Sequence, residues 1–298
     1  MTDWTIPAPL KLFAPAKVNL GLEVCGRRPD GFHDVVTLME SISIFDRIEV
    51  RPAERRHVQS DEQIPPETDL IRQALDAIES HTRLNLCLEV TARKSIPVSA
   101  GLGGGSSDAG TLIDALGRLL GLERSEMLQI AAAIGSDVPF FVGGGTALAT
   151  GTGTTIEPIH HFDRRWFLIL LPDLDIPGKT ARLYGELNPE DFTDGTSTRR
   201  IAASRSGSHP GLINSFQRPL MAYRQVCDAL EALSNAGCVR CIPSGAGPSV
   251  FATFETYSGL AMARSALSVP PGTRVFTATS VRAGVNQARI DSLLKQSS

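Results

Sequence analysis

Apolar and polar positions along the first half of the chain alternate between two rhythms. Residues 11–25 and 36–51 are dense in β-branched and apolar side chains and predict two strands, joined by the turn Arg28-Pro29-Asp30-Gly31, whose Pro-Asp-Gly is a turn former. Residues 53–68 are polar, carry Pro65-Pro66 and predict a loop, and 68–80 predicts a helix. A period-two strand follows at 85–93, with Leu86, Leu88 and Val90 on one face. The strongest periodicity belongs to the next helix, where Ala109, Leu112, Ile113, Leu116, Leu119 and Leu120 form one apolar stripe. Ser106, Ser107 and Asp108 are cap-type residues at its start, and Gly121 marks its end. A further helix spans 125–134 and closes at Gly135, before the sharp turn Gly143-Gly144-Gly145.

The second half opens on an apolar strand, 166–171. Residues 191–211, rich in Ser, Thr, Gly and Arg, predict an exposed segment. An amphipathic helix ends at Gly237 with Val226, Ala229, Leu230 and Leu233 inward, then come a strand–loop–strand at 239–254, a helix at 257–268 and a last strand at 274–281. Strands and helices mix without βαβ alternation and no repeat is present, so the expected class is α+β. The expected division is into residues 1–160 and 161–298.

Composition narrows the function. The 298 residues, 42% hydrophobic and 20% charged, suffice for two modest domains. No window reaches the roughly 18 continuous apolar residues of a membrane span, and no secretory signal is visible at the N-terminus. A cytoplasmic protein is expected. The net charge of −3, with both signs interspersed, argues against a nucleic-acid surface. Five scattered cysteines imply reduced thiols; Cys238 and Cys241 have C-x-x-C spacing but no second pair or nearby histidine, which favours a structural reading over a metal or redox site.

The familiar nucleotide signatures are missing. Gly178-Lys179-Thr180 mimics the end of a G-x-x-x-x-G-K-[ST] loop, but Asp173 stands where its first glycine belongs. Neither G-x-G-x-x-G, G-x-S-x-G nor H-E-x-x-H occurs. What stands out is Pro97 to Asp108, with four glycines at Gly101, Gly103, Gly104 and Gly105 feeding the best helix. Main-chain N–H groups at such a helix start bind phosphate oxygens, and serine hydroxyls there can reach phosphate or its Mg²⁺. A second glycine cluster, Ser244 to Ser249, links two strands and by itself reads equally as a hairpin loop.

Taken together, Ala14 to Leu20, Arg28 to His33, Ala100 to Asp108, Gly135 to Phe141 and Ser244 to Phe251 resemble the GHMP kinases over about residues 10–285. The triple glycine and the Asp-Gly-Phe-His turn resemble the branch whose acceptor carries cytidine diphosphate. The resemblance implies a ribosomal protein S5 domain 2-like N-terminal domain and a ferredoxin-like C-terminal domain. It further implies transfer of a phosphate from ATP, with Mg²⁺, to the 2-hydroxyl of a cytidine-diphosphate-bearing methylerythritol. Lys17 and Asp137 are then the catalytic pair, a carboxylate kept charged by an adjacent ammonium. ATP falls to Asp69, Lys94, Pro97, Gly101, Leu102, Gly103, Gly104, Gly105, Ser106 and Ser107, with Ser107 on the metal. The acceptor falls to Asn19, Phe32, His33, Tyr184, Gly245 and Gly247, with aromatic faces on both sides of the base. The expected partner is a small molecule, not nucleic acid or membrane, and the expected assembly a monomer or weak homodimer.

The chain departs from the pattern in places. Phe32 replaces a tyrosine, and Asp69 an asparagine that contacts adenine. Three alternatives stay open on sequence: a GHMP kinase for another small alcohol, a silent nucleotide-binding relative, and an RNA-binding module.

Overall fold

The computed structural model describes residues 1–159, 163–204 and 211–297. In chain order the first elements are β1 (Thr2–Trp4), β2 (Leu10–Arg27), β3 (His33–Pro52), β4 (His57–Ser60), α1 (Leu70–Thr82), β5 (Leu84–Leu86) and β6 (Leu88–Arg93). Next come α2 (Gly104–Leu119), α3 (Arg124–Ile134), α4 (Val138–Phe141), β7 (Thr146–Thr150), β8 (Thr155–Ile159) and β9 (Trp166–Leu171). The remainder is α5 (Lys179–Gly185), α6 (Thr196–Ala203), β10 (Ile213–Asn214), α7 (Gln217–Leu220), α8 (Arg224–Asn235), β11 (Cys241–Pro243), β12 (Val250–Phe254), α9 (Tyr257–Ala266), β13 (Arg274–Thr279) and α10 (Gln287–Ser297).

The long strands β2 and β3 form the spine of the first domain. On β2 the buried apolar set is Leu10, Leu12, Ala14, Ala16, Val18, Leu20, Leu22 and Val24, an unbroken period of two. That alternation sends Lys17 and Asn19 to the opposite face. β2 and β3 pair antiparallel almost throughout, with register shifts at Pro15/Ala16, Asn19/Gly21 and Val24/Gly26 that bend the ribbon. The bend lets β3 serve two partners, β7 through Thr37–Glu40 and β6 through Arg47–Pro52. The sheet runs β10-β2-β3-β6-β4, with β7 on β3 and β8 on β7. Helices α1, α2 and α3 bury Ile71, Leu75, Leu112, Leu116 and Ile130 against it.

The second sheet, β11-β12-β9-β13, is antiparallel throughout. Its first strand in chain order lies between the third and the fourth, the ferredoxin-like arrangement. β9 alternates cleanly: Leu168 and Leu170 pack on α8 and α9, whereas Phe167, Ile169 and Leu171 face Ala16, Val18 and Leu20 of the first domain. The protein is thus a two-domain α+β GHMP kinase fold.

Three expectations change. The supposed loop 53–68 contains β4, which pairs parallel with β6. The supposed exposed segment 191–211 contains α6, whose Thr198, Ile201 and Ala202 are buried, because Gly21 on β2 leaves room for Thr198 and a Cβ there would lie 2.7 Å from its hydroxyl; residues 205–210 of that segment lie outside the described ones. The division at 160/161 is crossed twice, by β10 pairing with β2 and by α10, whose Ile290 and Leu293 complete the first core. All five cysteines are free, and burial first, then Cys241, pushes the Cys238 thiol up to about 11, in keeping with a structural role. Among the described residues no helix is long and apolar enough to cross a membrane.

Candidate active site

The glycine run forms a cradle at the mouth of α2, and both of its sides are crowded. Gly101 and Gly103 adopt φ +80° and +75°, and a Cβ on Gly101 would meet the Ser244 carbonyl at 2.3 Å. On Gly103 it would meet Phe141 at 3.0 Å and the Lys17 stem at 3.1 Å. Gly103 caps α2 in a left-handed conformation with no side-chain hydrogen bond, so the first N–H groups of this 16-residue helix have no side-chain acceptor. Such a terminus attracts anionic oxygen. The second glycine cluster is the hairpin between β11 and β12 and also the opposite wall. Ser244 Oγ donates to the Gly101 carbonyl at 3.0 Å and Ser249 Oγ to the Ala100 carbonyl at 2.6 Å.

Beside the cradle, Lys17 Nζ lies 3.2 Å from Asp137 Oδ2. The Lys17 side chain is 4% exposed, that of Asp137 40%, so the ammonium is fixed in the wall and the carboxylate opens to solvent. Lys17 is held along its length: its N–H donates to the Leu102 carbonyl and its Nζ to Asn19 Oδ1 at 2.7 Å, while Asn19 Nδ2 donates to Thr37 Oγ1. Asp137 precedes α4, which lies directly on α2: a Cβ on Gly110 would meet the Val138 carbonyl at 2.6 Å. A Cβ on Gly245 would meet Lys17 Nζ at 3.3 Å. Two residues 120 positions apart therefore meet where both glycine loops converge.

Several expected residues are employed otherwise. Lys94 does not face the cradle; its Nζ is enclosed between Asp46 and Asp108, all three side chains at most 2% exposed. Burial pulls the Lys94 ammonium down, but Asp108 and Asp46 outweigh it and hold it above the usual lysine range. Asp46 also accepts from the N–H groups of Ser95 and Ile96, fixing the chain that enters the cradle. Ser107 is fully buried and donates to the Pro15 carbonyl at 2.6 Å, so its hydroxyl ties α2 to β2, while Ser106 stays half-buried. Asp69 is the N-cap of α1, accepting from Ile71 N–H and pairing with Arg72 at 3.3 Å. Asn19, 1% exposed, acts on Lys17 and Thr37. Pro97 and Leu102 are buried in the cradle's base.

The expected aromatic slot is not open. His33 and Tyr184 stack on each other at 4.5 Å and 21°, and Tyr184 meets Phe216 edge-on at 4.9 Å. Burial, and then Arg27, lowers the His33 pKa, which favours the neutral ring that stacks. Phe32 is 61% exposed at the tip of its turn, where Asp30 accepts from its N–H. Burial first, and then the charge of Asp137, pushes the Tyr184 phenol up to about 12, so this cluster adjoins the Lys17–Asp137 pair.

Residues that sequence reading overlooked complete the site. Asn214 Nδ2 bridges the Pro243 and Gly245 carbonyls at 2.9 Å each and so shapes the second loop. Lys179, noticed only within a failed phosphate-loop match, donates to the Ser99 carbonyl at 2.5 Å and to the Gly247 carbonyl. Nothing local in the sequence signals either role, since each depends on chain segments far away. Asp46 carries a faint signal, an acid inside an apolar strand.

Comparison with known proteins agrees with this fold. Residues 69–145 match the model of the GHMP kinases N terminal domain. The chain is 33% identical over 290 residues to the 4-diphosphocytidyl-2-C-methyl-D-erythritol kinase of Gloeobacter violaceus, covering 93% of this chain and 96% of that one. It is 34% identical over 250 residues to the enzyme of that name from Dehalococcoides mccartyi, covering 81% and 88%. A crystal structure of 4-(cytidine 5'-diphospho)-2C-methyl-D-erythritol kinase superposes with TM-score 0.75 at 28% identity, over 91% of this chain and 99% of that one. A homoserine kinase from Cytophaga hutchinsonii, at 16% identity and TM-score 0.65 over 95% and 98%, shares the fold. With a lysine–aspartate ion pair at the mouth of a glycine cradle and relatives matched over most of their length, the chain belongs to the 4-diphosphocytidyl-2-C-methyl-D-erythritol kinase family of the GHMP kinases.

Proposed function

We propose that the protein transfers the γ-phosphate of ATP to the 2-hydroxyl of 4-diphosphocytidyl-2-C-methyl-D-erythritol. The observation that carries this reading is the Lys17–Asp137 pair, 3.2 Å apart beside a cradle in which a Cβ on Gly101 would lie 2.3 Å from the Ser244 carbonyl. Asp137 accepts the proton of the acceptor hydroxyl as its oxygen bonds to the γ-phosphorus. The bond from that phosphorus to the bridging oxygen breaks, and its electron pair leaves with ADP. Lys17 keeps Asp137 oriented and faces the charge that spreads over the phosphoryl oxygens. The cradle N–H groups hold the triphosphate.

The described residues include no group of three or more His, Cys, Asp or Glu able to hold a metal alone. The cradle fits a Mg²⁺ delivered with the triphosphate, and the half-buried Ser106, not the buried Ser107, is the oxygen donor that suits it. Such an ion supplies charge neutralisation at the phosphate oxygens. Phe32, His33 and Tyr184 offer aromatic surface for the cytosine, next to Asp137.

The test is incubation with Mg-ATP and 4-diphosphocytidyl-2-C-methyl-D-erythritol, followed by mass spectrometry. The expected product is the acceptor plus one phosphoryl group, with ADP in equal amount. ATP turnover on another alcohol, with this acceptor untouched, would overturn the reading.

A further inference from the structure

Three lysines lie in or beneath the cradle, and their partners differ. Lys94 is enclosed by two carboxylates and Lys17 is paired with one. Lys179, at the start of α5, has no carboxylate within ion-pair distance among the described residues; its ammonium donates instead to the Ser99 carbonyl, at 2.5 Å, and to the Gly247 carbonyl. Those two carbonyls belong to opposite walls of the site. Ser99 enters the phosphate cradle, and Gly247 lies two residues beyond Gly245, whose Cβ position is 3.3 Å from Lys17 Nζ.

An ammonium has three N–H donors. Two neutral carbonyls engage two of them and leave the charge uncompensated. A half-buried cation held close to a second cation is an unfavourable arrangement unless an anion completes it. The two loops between which Lys179 lies enclose a site that calls for an anion.

We propose that Lys179 is a second cation of the reaction centre, binding an oxygen of the phosphoryl group as it passes from donor to acceptor. It carries no proton in the reaction. Its part is to offset the negative charge on the transferring oxygens, together with Lys17. The proposal rests on the kinase reading above.

The electrostatics agree. Burial first, then Lys17, lowers the Lys179 pKa to about 8, with Asp175 raising it in part. The charged groups around it are Lys17 from β2, Asp175 from the turn before α5, and Asp137 through its contact with Lys17. Residues 95–103 and 244–249, which form the walls, carry no titratable side chain. Because the folded state lowers this pKa, the unfolded chain holds more protons between about pH 8 and the ordinary lysine range, and the charged Lys179 opposes folding at neutral pH.

The test uses the full-length chain with Mg-ATP and 4-diphosphocytidyl-2-C-methyl-D-erythritol. Expected for Lys179→Gln is a fall in kcat of roughly 100-fold. The affinity for a non-hydrolysable ATP analogue should change less than about threefold, and Tm should stay level or rise. The parent's kcat/KM should decline above about pH 8, and the residual activity of Lys179→Gln should lack that decline. Should Lys179→Gln not fold, Lys179→Arg carries the same test, its decline displaced to higher pH. If the parent phosphorylates the acceptor but Lys179→Gln keeps kcat within threefold, or loses activity along with Tm and nucleotide affinity, Lys179 is a structural clamp and the proposal fails while the kinase reading stands. If the parent leaves this acceptor untouched, both fail.

Discussion

Two lysine–carboxylate groups lie within one loop's width of each other and serve opposite ends. Beneath the cradle, Lys94, Asp46 and Asp108 are sealed from water, with side-chain exposures of 2%, 0% and 2%. At its mouth, Lys17 is equally buried, yet Asp137 is 40% exposed. The sealed group uses its charges on itself and on the backbone of Ser95 and Ile96. The open pair leaves a carboxylate edge free for a substrate hydroxyl. Ionic chemistry alone does not mark a catalytic site; the access of one partner does. The distinction reassigns Lys94, which the family resemblance implied would touch ATP, to supporting the glycine loop from beneath.

The sharpest way to break this contrast is Lys94→Met. It leaves two buried carboxylates without their cation and is expected to cost about 3–5 kcal/mol, which urea unfolding would show as a lower midpoint. That is a large part of the stability of an ordinary domain. Asp137→Asn should do the reverse: kcat falls about 10³-fold, with the urea midpoint unchanged and nucleotide still bound. Equal effects of both variants on stability would erase the difference between the two groups.

A third measurement concerns proton linkage inside the sealed group. Burial first, opposed by Lys94 and reinforced by Asp46, pushes the Asp108 carboxyl from its ordinary 3.8 up to about 7, and its Oδ1 has no hydrogen-bond partner among the described residues. The folded protein therefore keeps this proton where the unfolded chain has lost it. Stability from this group is complete below about pH 4 and is lost as pH rises to about 7. Asp108→Asn, which cannot titrate, should flatten that part of the stability–pH curve and be tolerated far better than Lys94→Met. The smallest effect expected is at the rim. His33→Ala removes one stacked ring worth about 0.5–1.5 kcal/mol and should raise KM for the cytidine substrate about threefold to tenfold. KM for ATP and kcat should hardly move.

Much of the fold was readable because it follows local rhythm. The period of two along β6, the apolar stripe of α2 and the Pro-Asp-Gly turn each report their element without help from distant residues. The misread segments were those whose polarity is satisfied by tertiary contact. Residues 57–60 look like a loop but gain a strand from β6, and α6 looks exposed until Thr198 fits against Gly21. The last helix, α10, leaves the ferredoxin-like half and returns to the first core through Ile290.

The same line divides the candidate site. The glycine run before α2 states its own chemistry, since a side-chain-free helix entrance accepts phosphate whatever surrounds it. Asp137 and Lys17 were assignable only by resemblance, and their meeting is a product of α4 packing on α2. Sequence by itself determined the class of fold, the place of the glycine run before α2 and the family the chain resembles. The tertiary structure alone decided which lysine is sealed, which serine turns inward and which lysine bonds two carbonyls, because burial and pairing depend on what the folded chain brings within a few ångströms, and no local pattern encodes that.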